Sequence, residues 1–272
     1  MDMKKEEKKI EKKEERVIRI GEYILTGIPG FDSLFKQGIP TGSSVLVEGG
    51  PGSGKTLFCL NLAKSMCKAG KKVLYMSFEE PEYRLRGHLK NFGVNAEELE
   101  KKGLLYVKRF NALDIARSVE ALLSEAKKEL LIEVQPVLIP SNFNPDIVLI
   151  DSLTSIGSAF SGEESRFRIY MEQLFRYLEG HKITSFLIRE TANPTHIGGT
   201  FIERGEAVSF LSDGIIVLYN VFFKTGFRSR AIEIIKMRGV EIKRKIVEFD
   251  IVPNRGIVVH PDRLVKGQYI LT

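Results

Sequence analysis

The sequence has 272 residues, 43% of them hydrophobic, and a formal net charge of +6. This length fits one α/β domain with additions or two small domains, and the hydrophobic share is enough for a sizeable core. No apolar run reaches the roughly 18 residues that a membrane-spanning helix needs. The charged N-terminus is not followed by the apolar segment of a signal peptide, so we expect no membrane partner.

The first 16 residues, MDMKKEEKKIEKKEER, are almost all charged. Like charges recur at i,i+4, as in Lys4 with Lys8 and Glu7 with Glu11, and such pairs do not support an isolated helix. The sequence therefore predicts a solvated, largely disordered tail over residues 1–16 and one folded domain over residues 17–272. A partner-binding arm is the alternative for the tail.

Buried strands and helices alternate through most of the domain, and strands predominate at its end. A Pro- and Asn-rich segment, Gln135–Pro145, interrupts the pattern and is predicted to be an inserted loop. The pattern predicts an α/β fold with a mostly parallel sheet flanked by helices and an antiparallel C-terminal extension. The predicted strands are Val45–Glu48, Lys72–Phe78, Leu104–Phe110, Asp146–Ser152, Ile183–Glu190, Gly214–Asn220, Arg230–Met237 and Lys245–Val252. The predicted helices are Phe31–Lys36, Lys55–Ala69, Glu82–Asn91, Ala96–Lys102, Leu113–Leu130 and Glu163–Gly180.

Both cysteines, Cys59 and Cys67, fall on the second of these helices. They are eight residues apart, or about 12 Å along the helix axis, which is too far for a disulfide. Two cysteines and four scattered histidines form no cluster with metal-ligand spacing. The sequence therefore predicts reduced core thiols in a cytoplasmic protein.

The charge excess is concentrated near the C-terminus. The stretch Phe222–Thr272 holds eleven Lys and Arg against five Asp and Glu, and this difference of +6 equals the whole net charge. A basic region of this kind is typical of nucleic-acid binding. It is equally expected where basic residues reach toward the nucleotide of a neighbouring subunit.

The stretch VLVEGGPGSGKTLFC contains a phosphate-binding loop between a strand and a helix. Its spacing fits the pattern G-x-x-x-x-G-K-[ST], in which backbone N–H groups and the helix dipole cradle phosphates. We expect Lys55 to reach the β- and γ-phosphates and the Thr56 hydroxyl to bind Mg²⁺. A plain glycine-rich turn is the alternative, but it does not need Lys-Thr at its end. The predicted nucleotide-binding residues are Gly49, Gly50, Pro51, Gly52, Ser53, Gly54, Lys55 and Thr56.

Acidic residues end two other predicted strands. Asp151 closes the apolar strand DIVLID, where a carboxylate beside a phosphate loop can hold Mg²⁺ and its water; a simple polar strand end is the alternative. Glu79 and Glu80 follow the strand VLYMSF at the sheet edge that faces ligands in such folds. One of the two can orient and deprotonate the attacking water while the other pairs locally. Both could instead be the acidic first turn of a helix.

These motifs together resemble the KaiC-like ATPases of the RecA/RadA superfamily. The resemblance rests on TGIPGFDSLFKQGIPTGSSVLVEGGPGSGKT, on FEE after the second strand, on LIDS and on IIKMRG, and it covers about Val17 to Leu271. The single domain is most similar to archaeal single-KaiC-domain proteins. The resemblance implies a RecA-type core, ATP and Mg²⁺ as cofactors, and a homo-oligomer, usually a hexameric ring with ATP between subunits.

The resemblance also implies roles for individual residues. Glu79 is the expected base with Glu80 beside it, and Lys236 and Arg238 are expected to reach the γ-phosphate of the neighbouring subunit. An exposed, charged strand end is the alternative for Lys236 and Arg238. The sequence departs from the family at Ile242, where relatives often carry His, and at Arg189, where Ser is common; Glu190 still fits a residue that senses the γ-phosphate.

Three other functions compete with a KaiC-type ATPase of regulatory role and unknown protein client. A RadA-like DNA-binding accessory ATPase would use the loops Ser155–Arg168 and Thr191–Ser209, but they hold few aromatic residues for base stacking. A nucleotide-gated scaffold would bind ATP and hardly hydrolyse it, and the Glu79 pair argues against this. Autophosphorylation would use Ser209 or Ser212, but Phe210 interrupts that segment and a second domain is missing.

Overall fold

The structure is a computed structural model of the protein. It describes residues 23–117, 139–140, 142–160, 162–191 and 206–272. The predicted tail over residues 1–16 lies outside the described residues. So do the second part of the predicted helix Leu113–Leu130 and part of the predicted loop Gln135–Pro145. Residues 112–117 are helical up to the first gap.

The described residues form a ten-stranded mixed sheet and a two-stranded ribbon. Six parallel strands run in the order β5-β4-β6-β7-β3-β8, and β9, β10 and β11 extend the sheet in antiparallel fashion; β12 pairs with β8. The predicted parallel sheet with an antiparallel extension is therefore confirmed. The strands are β1 (Tyr23–Ile24), β2 (Ile39–Pro40), β3 (Ser44–Gly49), β4 (Val73–Ser77), β5 (Leu105–Arg109), β6 (Ile147–Asp151), β7 (Thr184–Glu190), β8 (Gly214–Phe223), β9 (Arg228–Met237), β10 (Val247–Val252), β11 (Gly256–Leu264) and β12 (Tyr269–Leu271).

Helices cover both faces of this sheet. The α-helices with both ends in the described part of the chain are α1 (Lys55–Lys68), α2 (Glu82–Asn91), α3 (Ala96–Lys101), α4 (Leu153–Ala159), α5 (Glu164–Gly180) and α6 (Glu206–Leu211). The predicted helices match α1, α2, α3 and α5 within two residues at either end. The segment predicted as a helix at Phe31–Lys36 is instead a short 3₁₀ turn, Asp32–Leu34.

Two hydrophobic clusters lie on opposite faces of the sheet because side chains alternate along each strand. On β3, Val45 and Val47 belong to the cluster beneath α1, α2 and α3, whereas Leu46 belongs to the cluster beneath α4 and α5. Continuous apolar strands such as β6 are buried on both faces, as the helix coverage requires. Cys59 and Cys67 are free thiols in the first cluster, as predicted, and burial raises the pKa of Cys67 to about 12.

Parallel pairing sets the position of the candidate site. β4, β6, β7 and β3 are neighbours that run in the same direction. Their carboxyl ends therefore lie side by side at one edge of the sheet, where ligands bind in folds of this kind. Glu79, Asp151, Glu190 and the loop that starts at Gly49 all follow or end these strands.

Candidate active site

The predicted phosphate loop lies between β3 and α1. Gly54 precedes the first residue of α1 with a φ of 106°, a left-handed conformation that favours glycine. The ammonium of Lys55 is buried and donates to the carbonyl oxygens of Gly49 and Gly50 at 3.0 and 2.9 Å. The loop thus curls around the lysine at the start of a helix, and this N-terminus supplies N–H groups and a positive dipole for an anion.

Carboxylates surround the buried ammonium of Lys55. Burial is the main influence and lowers the pKa of Lys55, while Glu190, Asp151 and Glu79 act in the opposite direction. Glu190 forms an ion pair with Lys55, because its Oε1 lies 3.8 Å from Lys55 Nζ. Glu190 is held by its own backbone N–H, which donates to Thr154 Oγ1 at 2.9 Å. The arrangement keeps a positive charge inside the loop.

Asp151 is joined to the loop by a hydrogen bond. Thr56 Oγ1 and Tyr75 OH both donate to Asp151 Oδ2, each at 2.9 Å. Hydroxyl and carboxylate oxygens are the hard donors that Mg²⁺ prefers, and adjacent ligands of an octahedral Mg²⁺ lie about 2.9 Å apart. Thr56 and Asp151 therefore fit the metal that the sequence assigned to them.

The environment of Asp151 perturbs its titration. The pKa of this carboxyl is raised from 3.8 to about 6; burial is the main cause, and the nearby carboxylates of Glu79 and Glu80 act in the same direction. The hydroxyl hydrogen bonds from Tyr75 and Thr56 act in the opposite direction. A nearby cation would stabilise the charged form of Asp151 and so offset the free-energy cost of its burial.

Glu79 is positioned by two hydroxyl groups from the neighbouring strand end. Ser152 Oγ and Ser155 Oγ both donate to Glu79 Oε1, the second at 3.0 Å. Ser152 follows Asp151 and caps α4, because its Oγ also accepts the N–H of Ser155 at 3.3 Å. Neither bond from these hydroxyls uses Oε2 of Glu79. The carboxylate is thereby fixed beside Asp151.

Glu80 occupies a different environment from Glu79. Its Oε2 lies 3.2 Å from His88 Nε2 and 4.0 Å from Arg84 Nε, both on α2. Its backbone is tied to Ser77, whose Oγ donates to the Glu80 carbonyl at 2.7 Å. The two adjacent acids therefore have different contacts: Glu79 lies beside Asp151, whereas Glu80 pairs with residues of α2.

Lys236 and Arg238 lie away from the phosphate loop of their own chain. Met237 pairs with Gly214, at the amino end of β8, whereas Gly49 is level with Leu218. Four residues separate these levels, or about 13 Å along the strands. The structure therefore does not bring these two basic residues together with the other candidate residues.

The basic pair instead contacts the end of α6. Lys236 Nζ donates to the carbonyl oxygens of Ser209 and Ser212, and burial is the main cause that lowers its pKa. The side chain of Arg238 is more than half exposed, and its guanidinium donates to the Phe210 carbonyl at 2.8 Å. Of the two residues for which an exposed, charged strand end was the alternative, Lys236 is half-buried and Arg238 is exposed.

Sequence patterns missed the residues that hold the acids. Tyr75, Thr154, Ser152 and Ser155 were not predicted as site residues. The available signal for Tyr75 was its place inside the apolar strand VLYMS, where it is fully buried. A buried hydroxyl needs a hydrogen-bond partner. Serine at the N-cap position after Asp151 was the signal for Ser152.

A phosphate loop, a strand-end aspartate and a strand-end glutamate on a mostly parallel sheet define a P-loop ATPase with the RecA-type fold. A family model described as "ATPase: KaiC" matches residues 24–263, so the chain belongs to the KaiC ATPase family.

Individual relatives agree with this family. A UPF0273 protein of Pyrococcus horikoshii is 30% identical over 255 residues, which cover 91% of this chain and 98% of the relative. The circadian clock oscillator protein KaiC of Acaryochloris marina is 28% identical over 84% of this chain, but only 40% of the clock protein is covered. The crystal structure of a KaiC-like protein from Pyrococcus horikoshii superposes with a TM-score of 0.68 at 29% identity, covering 88% of this chain and 99% of that one.

Proposed function

We propose that this protein is a Mg²⁺-dependent ATPase that hydrolyses ATP between the subunits of a homo-oligomeric ring, most simply a hexamer, and that it serves a regulatory protein client in the cytoplasm. One observation carries the catalytic part of this proposal. The phosphate loop, Asp151 and Glu79 are joined through Thr56, Ser152 and Ser155 at one edge of the sheet.

Each residue has a distinct task in this proposal. Lys55 and the loop N–H groups bind the phosphates, and Thr56 and Asp151 hold Mg²⁺, which neutralises phosphate charge when bound. Glu79 orients the attacking water and accepts its proton, with Glu80 beside it tying α2 to the strand end. Lys236 and Arg238 act on the γ-phosphate held by the neighbouring subunit, since an arginine stabilises charge that develops during the transfer.

The DNA-binding alternative has less support. The segment Ser155–Arg168, predicted as a loop, is mostly helical in its described part, because it includes the end of α4 and the start of α5. Arg166 pairs there with Glu163 at 2.8 Å and Arg168 with Glu172 at 3.2 Å. These pairs reduce the net positive charge available to phosphates of a nucleic acid. Residues 192–205, which include Arg204, lie outside the described part of the chain. None of the helices described in the structure is long and apolar enough to cross a bilayer.

The proposed function is tested by replacing Lys55 with alanine and Glu79 with glutamine. We expect both variants to lose Mg²⁺-dependent hydrolysis, Glu79→Gln by about a hundredfold or more because general-base catalysis contributes at least that much. A titration with ATP should separate the two: the Lys55 variant binds weakly, whereas the Glu79 variant binds like the parent.

Two further variants sharpen this test. Glu80→Gln should lower the rate less than Glu79→Gln, because the Glu80 carboxylate pairs with His88. Glu172→Gln, on the exposed side of α5, serves as the control for a lost surface carboxylate. Hydrolysis at the parental rate in Glu79→Gln would show that another group is the base. ATP binding without turnover in the parent protein would support the scaffold function instead.

A further inference from the structure

The C-terminal strand meets the phosphate loop end to end. Strand β9 pairs with one edge of β8 from Gly214 to Phe222. Strands β3 and β12 therefore share the other edge, with β3 pairing up to Leu218 and β12 pairing from Val221 onward. Beyond β12, the backbone of Thr272 exchanges two hydrogen bonds with that of Asn220, at 3.0 and 2.8 Å. Thr272 and Asn220 thus stand directly in front of the loop that follows β3.

Both residues contact the first half of the loop. Asn220 Nδ2 donates to the Pro51 carbonyl oxygen at 3.1 Å. Gly50 approaches Thr272 so closely that a Cβ atom at this position would lie 3.1 Å from the Thr272 carbonyl carbon. The backbone at Thr272 therefore packs against a glycine that has no side chain to interpose. This half of the loop is held from the side of β8 and β12.

Lys55 holds the same half of the loop from the side of α1, through the Gly49 and Gly50 carbonyl oxygens. In the function proposed above, this ammonium turns to the phosphates, so these two carbonyls then lose their side-chain donor. Asn220 does not take part in that exchange. The hydrogen bond from its side-chain amide to the Pro51 carbonyl oxygen can therefore persist and keep the loop in its curled form.

We propose that Asn220, backed by Thr272 and β12, is a positioning residue of the phosphate loop that sets the affinity for the triphosphate more than the rate of hydrolysis. This inference rests on the proposed function, because a pre-shaped loop matters only if phosphates bind there. Preorganised N–H groups bind an anion more tightly than groups that must first be ordered.

The test uses two variants of the full-length chain. Asn220→Leu keeps the size of the side chain and removes the donor to Pro51. Thr272→Pro removes the N–H that donates to Asn220. We expect the Kd for a slowly hydrolysed ATP analogue to rise about fivefold in Asn220→Leu, as for the loss of one hydrogen bond. KM should rise in step while kcat changes little.

A second measurement does not need nucleotide. Hydrogen exchange of the amides in residues 49–56, followed without nucleotide, should become faster in both variants, while the amides of the β3 and α1 interiors exchange as in the parent. Thr272→Ala, which keeps the backbone N–H, and Ile270→Ala, an exposed position on β12, are the matched controls and should leave loop exchange unchanged.

Two results would overturn the inference. The first is parental affinity and parental loop exchange in Asn220→Leu. The second is a general rise in exchange across the whole sheet with a lower unfolding temperature, which would mean that Asn220 only supports the fold. If the parent binds no ATP, the proposed function fails. Faster hydrogen exchange confined to the amides of residues 49–56 in the two variants would still show that Asn220 and Thr272 shape the loop.

Discussion

At the scale of single residues, the site depends on how hydroxyl groups share carboxylate oxygens. Thr56 and Tyr75 donate to one oxygen of Asp151, and Ser152 and Ser155 donate to one oxygen of Glu79. In each case the second oxygen takes no part in these bonds. A buried carboxylate that is oriented but not fully compensated has a raised pKa, and Asp151 shows this effect.

The first prediction separates stability from catalysis at Asp151. The pKa of Asp151 is about 6 in the folded protein, against 3.8 without its surroundings. Between these two pKa values the folded state binds more protons than the unfolded state. The contribution of Asp151 to the free energy of unfolding therefore falls as pH rises from about 4 to 6, and it stays lower above that range. The substitution Asp151→Asn keeps one side-chain oxygen as the acceptor for both hydroxyls and removes the charge.

We therefore expect Asp151→Asn to unfold at higher urea concentration than the parent at pH 7.5, by about 3 kcal/mol in the free energy of unfolding, when no Mg²⁺ or nucleotide is present. The gain should shrink toward pH 4, and ATP hydrolysis should be lost. Asp262→Asn, at an exposed position on β11, is the control. A gain of equal size at pH 4 and pH 7.5 would contradict the explanation by burial of the charge.

At the scale of elements, β3 and β7 carry the two halves of the site and are held in register at their ends. Glu48 pairs with Arg189 across the parallel ladder, one residue before Gly49 pairs with Glu190. Arg189 Nη2 lies 2.6 Å from Glu48 Oε1, and Glu48 is fully buried. Alternation along the strands directs this pair to one face of the sheet and Glu190, the ion-pair partner of Lys55 on α1, to the other.

The second prediction concerns this ion pair. Arg189→Met leaves the fully buried charge of Glu48 without this partner and should lower the free energy of unfolding by about 3 kcal/mol. Glu48→Leu leaves the partly buried charge of Arg189 and should lower it by less. The double variant should be less destabilised than the sum of the two, as measured by urea unfolding in a double-mutant cycle. The exposed pair Arg168 with Glu172 on α5 is the matched control, with a coupling below about 0.5 kcal/mol. Additive effects at Glu48 and Arg189 would mean that the pair does not fix the register of β3 and β7.

At the scale of the whole molecule, the basic pair Lys236 and Arg238 lies toward the opposite end of the strands from the phosphate loop. Arg238 follows the end of β9 that pairs with the amino end of β8, and its guanidinium extends along α6 to the Phe210 carbonyl. A single chain therefore has a phosphate loop at one edge of the sheet and a basic pair at the other. This separation suits a role for Arg238 in a second copy of the chain.

The third prediction tests that role by mixing two inactive variants. Lys55→Ala has a defective phosphate loop and an intact Arg238, and Arg238→Ala has the reverse defect. An arginine of this type contributes on the order of a thousandfold in rate, so activity regained in mixed assemblies should be measurable by phosphate release. Mixing Lys55→Ala with a Lys55→Ala/Arg238→Ala chain is the control and should restore nothing. If mixed assemblies form and remain inactive, Arg238 does not act across subunits, and nucleic acid becomes the next partner to test.

The C-terminal strands show where prediction from sequence failed. The segment Gly256–Leu264 contains Pro261, and a proline argues against a strand in the interior of a sheet. In the structure this segment is β11, which pairs only with β10 among the described strands. The register shifts between the pairs Val247–Leu264 and Phe249–Val259, so no paired position falls on Pro261. Strand β12 has only three residues, too few for a periodic pattern, and its pairing with β8 supplies its stability.

The sequence by itself determined the phosphate loop, the parallel core and the strand-end acids, because each is encoded by neighbouring residues whose spacing has a direct physical meaning. Eight consecutive residues are enough to specify a loop that binds phosphates. Only the tertiary structure decided that Ser152 and Ser155 hold Glu79, that Asn220 and Thr272 border Gly50 and Pro51, and that Arg238 lies far from its own loop. These contacts join residues that are distant in the sequence, and they depend on the order and register of the strands, which local patterns do not specify.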